Sequence, residues 1–253
     1  TQSVGYTSGS KNIYRTANGG SSWQEVTPSG VVSLWGCYFV SANLGMVIGS
    51  GCGSSKQQFF RTTDGGNSWS ETQDSIPNSG LTDLILDSST GLGYAVGSGW
   101  LWRTLNLGIT WQTFMPTGQQ IWHEEITNRK NSFLIPFSGT TCAGAGNGGG
   151  MRFSTNNGTD WTNYTTPDHN YGAFLLNDST GWVCGLNSQM YYTSNYGQSW
   201  ELRNCGISTD LDDTYFINDT TGWVVGKGAI YRLTSPFRSV TKSSINYGDA
   251  CYP

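Results

Sequence analysis

Laid over itself in register, the chain brings Trp35, Trp122, Tyr171 and Asp212 to one position, with His123 beside Trp122. Two residues further along each copy stand Cys37, Asp83, Glu124, Ala173 and Thr214. Aromatic rings stack on the apolar face of a pyranose, and carboxylates take its hydroxyls. Trp35, Trp122, His123, Tyr171 and Asp212 are therefore the candidate ligand-binding set. The acids alone suggest a second chemistry. Glycoside hydrolysis needs two carboxyl groups roughly 5–10 Å apart, one of raised pKa, and Asp83, Glu124 and Asp212 are the acids that could supply them. The competing reading makes the rings core between sheets and the acids solvated strand ends, because aromatics dominate buried area in most domains. Neither His123 nor His169 has metal-ligand company and no run resembles a calcium loop, so neither a metal nor a cofactor is expected.

What positions these residues is an internal repeat. Thr62, Asp64, Gly66 and Trp69 define a frame that returns as Thr16, Asn18, Gly20, Trp23; as Thr104, Asn106, Gly108, Trp111; as Ser154, Asn156, Gly158, Trp161; and as Thr193, Asn195, Gly197, Trp200. Asp or Asn accepts hydrogen bonds from the backbone of a turn. Gly supplies positive φ without steric cost. Trp pins the exit strand into a core. A second element, Gly-aromatic-x-Val-Gly, recurs at Gly93–Gly97, Gly181–Gly185 and Gly222–Gly226. The fourth copy departs from the pattern: Pro136 points to an edge or break in its second strand, and a Gly-rich insert follows from Gly139 to Gly150. Arg15, Arg61, Arg103 and Arg232 precede the turn position. A ring of them could hold anions, but a repeated residue in a repeated turn needs only a repeated structural cause.

The turn resembles the Asp-box, or bacterial neuraminidase repeat, a β-hairpin turn of β-propeller blades. Together with the Gly-aromatic-x-Val-Gly strands, it is most similar to the photosystem II assembly-factor propellers and to secreted proteins carrying the same repeat. Sialidases and some large endoglucanases share the turn. The resemblance implies an all-β chain in which Asn18, Trp23, Asp64, Trp69, Asn106, Trp111, Asn156, Trp161, Asn195 and Trp200 are structural. Trp-to-Trp spacings of 46, 42, 50 and 39 residues fit four-stranded antiparallel blades. Six blades fill residues 1–253 as a single domain, and a seventh would need ~40 more residues. The first blade lacks its first strand, and the tail, 238–253, is expected to complete it through Ser244 to Tyr247. The Arg-Ile-Pro segment of sialidases is absent.

Net charge is −4 with no basic run, which argues against a nucleic-acid surface. No stretch approaches the ~18 apolar residues of a membrane span. Six cysteines without a CxxC pair suggest disulfides in an extracellular, periplasmic or cell-surface setting, with Cys37 and Cys52 as the expected pair. Asn157, Asn163, Asn177 and Asn218 each begin a glycosylation sequon. The expected role is a non-enzymatic module that binds or scaffolds a protein or glycan partner. The alternatives are a carbohydrate-active hydrolase, or a self-assembling subunit of an extracellular filament or surface layer.

Overall fold

The computed structural model describes residues 3–49, 58–71, 80–116, 122–139, 148–203, 207–234 and 239–243. Short runs of aromatic and β-branched residues, bounded by Gly and Asx turns, form antiparallel strands throughout. The chain divides into two compact units, Thr1–Ile126 with Thr140–Ala145, and Thr127–Gly139 with Gly146–Pro253.

The first unit opens with a three-stranded sheet of β1 (Gly5–Gly9), β2 (Asn12–Thr16) and β3 (Gln24–Glu25). Its second sheet runs in order through β4 (Gly36–Phe39), β5 (Gly45–Gly49), β6 (Gln58–Thr62) and β7 (Ser70–Glu71). The third follows with β8 (Leu81–Leu86), β9 (Gly93–Gly97), β10 (Trp100–Thr104) and β11 (Gln112–Pro116), and β12 (Trp122–His123) comes after it. Apolar faces fill the space between successive sheets. Met46, Ile48 and Phe59 pack against Leu81, Leu84, Ala95 and Trp102, while Ile13 meets Leu34, Val47 and Phe60.

In the second unit, β13 (Thr127–Arg129) pairs with β14 (Ser132–Ser138), followed by β15 (Gly149–Ser154) and β16 (Thr162–Thr166). A four-stranded sheet comprises β17 (Asn170–Leu175), β18 (Gly181–Gly185), β19 (Met190–Thr193) and β20 (Glu201–Leu202). Another comprises β21 (Leu211–Asn218), β22 (Thr221–Gly226), β23 (Ala229–Thr234) and β24 (Ser239–Ser243). Trp182 stacks on Phe216 at 3.8 Å between these two sheets, and burying one such ring contributes roughly 3 kcal/mol.

Pro136 does not break its strand. It lies inside β14, opposite Met151 of β15. Proline has no N–H to donate, and the β13 pairing on the other side runs only over Ser132 to Leu134. Ser244 to Tyr247, the expected completing strand, lie outside the described residues.

All five turns are built alike. In the second sheet, Thr62 Oγ1 donates to Asp64 Oδ1 (2.8 Å) and accepts from Gly66 N (2.9 Å), while Ser68 N donates to Asp64 Oδ1 (2.9 Å). The same three bonds join Thr16, Asn18, Gly20 and Ser22, and Thr104, Asn106, Gly108 and Thr110. They recur at Ser154, Asn156, Gly158 and Asp160, and at Thr193, Asn195, Gly197 and Ser199. The third residue of each frame is a glycine at positive φ, from 69° to 90°. The turn tryptophans are less uniform. Trp111 and Trp200 are buried, Trp69 donates to Val26 O at 2.7 Å, and Trp23 stays 47% exposed.

Candidate functional site

The first strands of the sheets carry most of the candidate site residues, and their register corrects the alignment read from the sequence. β-Bulges interrupt β8 between Leu81 and Asp83, β17 between Asn170 and Gly172, and β21 between Leu211 and Asp213. The extra residues are therefore Thr82, Tyr171 and Asp212, and Trp35, just before the Gly36–Ile48 pair, holds the equivalent place at the entry to β4. The third copy is offset from the others by one residue. Its β8–β9 connection spans six residues between Leu86 and Gly93, where Phe39 and Gly45 enclose five. Asp83 thus shares its register with Gly36, Gly172 and Asp213 and not with Cys37. A bulge re-aims the side chain it carries, which is how aromatic and acidic residues leave an otherwise apolar strand.

In the first unit this presents Trp35, 55% exposed. Trp122 of β12 stands edge-on to it at 6.3 Å and 65°, a favourable aromatic geometry. Asp83 Oδ2 accepts from Ile126 N at 3.0 Å, so one carboxylate oxygen ties down the chain after β12. Glu124 is half-buried two residues beyond Trp122. His123 is fully buried and its Nδ1 donates to Gly97 O at 2.8 Å. Thr82 Oγ1 bonds to His123 O at 2.7 Å. His123 is thus a strut holding β12 on β9, and no ligand at the surface can reach it. Two clefts occur in this unit, about 430 Å³ beside Tyr6, Cys37 and Phe39 and about 700 Å³ beside Glu25, Trp69 and Glu71. Neither is lined by Trp35 or Trp122.

In the second unit Tyr171 is half-buried, with its ring edge-on to His169 at 6.4 Å. Asp212 and Asp213 adjoin at the β21 bulge. Shielding of the Asp212 carboxyl raises its pKa, the Asp210 charge adds to this, and Lys227 opposes. Asp213 is raised by burial first and then by Asp212, against the hydrogen bond from Thr214 N. Both residues are exposed as a whole; the shielding falls on their carboxyl groups.

The other expected residues have structural surroundings. Cys37 forms no disulfide among the described residues, and Cys52 lies outside them. Burial pushes the Cys37 thiol up, partly offset by its hydrogen bond with Ser8. Asn177 Oδ1 accepts from Ser179 N, Ser179 Oγ and Thr180 N, and Asn218 Oδ1 from Thr220 N and Oγ1. Asp87 does the same for Ser89, so this position needs a turn-forming oxygen whether or not it is a sequon. Asn157 occupies the left-handed region, φ 57°, and Asn163 is exposed on β16. Arg61 Nε donates to Leu107 O at 2.9 Å and Arg15 Nε to Tyr6 Oη at 3.1 Å, ties that account for both arginines locally. Among the described residues no cluster could hold a metal ion.

Sheets of this connectivity, strung one after another, define an all-β protein of propeller type, and solved structures bear out that class. A GH74 enzyme from Niastella koreensis superposes with a TM-score of 0.73 at 12% identity, over 88% of this chain and 41% of its own. YCF48 from Cyanidioschyzon merolae gives 0.63 at 14%, over 89% and 77%. The WD40 β-propeller domain of Doa1 gives 0.62 at 10%, over 82% and 67%. The chain thus spans about two fifths of the GH74 enzyme. At these identities the likeness is one of fold. No family model matches the chain, and no curated protein matches it in sequence.

Proposed function

We propose that the chain is a secreted or cell-surface binding module, a six-bladed Asp-box propeller that engages a glycan or a glycan-bearing protein without turning it over. The observation that carries this reading is the exposure of Trp35 at the entry to β4, held edge-on by Trp122. A side chain of that size, more than half in water and fixed by a second ring, forgoes burial that the sister strands use. Asp83 and Glu124 supply acceptors nearby, and an exposed ring on the surface suits an extended partner. Low charge and abundant Gly, Ser, Thr and Asn agree with an extracellular setting.

A glycan array followed by titration of the strongest hit tests this. Trp35→Ala and Trp122→Ala should each weaken binding at least tenfold, about 1.4 kcal/mol, with an unchanged melting temperature for Trp35→Ala. Undiminished affinity in both variants would remove the aromatic face from the account. A second reading, a carbohydrate-active hydrolase, draws on the raised Asp212 and Asp213, since a carboxyl kept protonated can act as general acid. The likeness to GH74 enzymes agrees with it at the level of fold. Turnover of chromogenic glycosides, abolished by Asp212→Asn or Glu124→Gln, would establish the hydrolase instead.

A further inference from the structure

The middle residue of each third strand has a fixed place in these sheets. Phe60 pairs with Val47, Trp102 with Ala95, Tyr191 with Val183 and Tyr231 with Val224. All four are aromatic and at most 7% exposed. In β15 the same place, opposite Ile135, is taken by Arg152. Arg152 is equally buried, at 5% exposure. The Phe137 ring lies 5.5 Å from its guanidinium carbon. Its Nε has no hydrogen-bond partner, and among the described residues no carboxylate pairs with it.

A guanidinium is always charged at neutral pH, and burying it without a counter-charge costs several kcal/mol. Consistent with that, burial alone draws its pKa down to about 10, with no neighbouring acid to hold it up. The Gly-rich insert before β15 contains no acid, and the segments outside the described residues contain only Asp74 and Asp249. Four sister sheets show that an aromatic would satisfy the packing. An arginine there makes physical sense if an anion completes it.

We infer that Arg152 anchors a binding site for an oxyanion group, a carboxylate, sulfate or phosphate, taken from solution. The guanidinium fork suits such groups through paired N–H donors, and Phe137 covers one side of it. The inference does not depend on the glycan reading.

Thermal unfolding of the full chain in sulfate, phosphate, acetate or glucuronate tests the inference, against chloride at matched ionic strength. For the preferred oxyanion the melting temperature should rise saturably, by roughly 4–10 °C at a hundredfold excess over Kd. The choice among the four distinguishes an inorganic ion from a sugar acid. Arg152→Met, of similar length and apolar, should fold, melt higher than the wild type in chloride, and show no oxyanion response. Arg152→Lys should keep a weakened response. A wild type indifferent to all four anions, or an Arg152→Met variant that responds as strongly as the wild type, would overturn the site.

Discussion

Asp64 does with a carboxylate what Asn18, Asn106, Asn156 and Asn195 do with an amide, and the difference is a proton. The four Asn side chains donate through Nδ2 to the residue before the turn tryptophan: Ser22, Thr110, Asp160 and Ser199. At Asp64 the direction reverses, and Ser68 Oγ donates to Oδ2. That bond, then the Ser68 N–H and Thr62, lowers the Asp64 pKa to about 2. The unfolded value is about 3.9. The folded value lies below the unfolded one, so this stabilisation is complete above about pH 4 and is lost as pH falls toward 2. Urea midpoints between pH 5 and 2 should therefore fall less steeply for Asp64→Asn than for the wild type, with little difference at pH 7. Parallel curves would mean that the turn does not sense this proton.

The strand pair is where close approach replaces side-chain packing. Gly185 ends β18, and a Cβ there would run into the carbonyl of His169 and lie 2.7 Å from Asn170 Cα. Its counterparts Gly97 and Gly226 meet the carbonyls of Gly80 and Asp210 in the same way. The residue is glycine because the first strand of the sheet crosses at backbone contact there. Gly185→Ala should cost on the order of 3 kcal/mol, whereas Gly9→Ala, with nothing within 4 Å, should cost under about 1 kcal/mol. Paired urea titrations check this, and equal losses would show that the approach is not rigid. The turns were legible in the sequence because each closes within eight residues, through interactions fixed by spacing. The bulges were not, because an extra residue such as Thr82 shows only when both strands are paired. The same limit hid the burial of His123: Gly97 is 26 residues away, and nothing local marks the contact. Arg152 left a trace in the repeat, an arginine in a column of aromatics, which only the strand register makes visible.

At the scale of the whole chain, strand number is what sets the described sheets apart. Four strands make up most of them, but β1, β2 and β3 stand as three. Strand pairing leaves unsatisfied backbone groups along any open edge, so a sheet repeated at four strands gains by recruiting a fourth. The tail holds a fitting sequence. Asn246-Tyr247-Gly248 repeats Asn170-Tyr171-Gly172, the segment that carries the bulge of β17, although residues 244–253 lie outside those described. From the repeat, Ser244 to Tyr247 are expected to supply that strand. Deleting 244–253 should then lower the melting temperature by roughly 5–10 °C, as expected for the loss of one paired strand of ~2–3 kcal/mol. It should also speed hydrogen exchange at the Gly5–Gly9 amides relative to those of β9. If exchange at β1 is indifferent to the deletion, the first sheet stands with three strands, and completion of the blade must be sought in another segment.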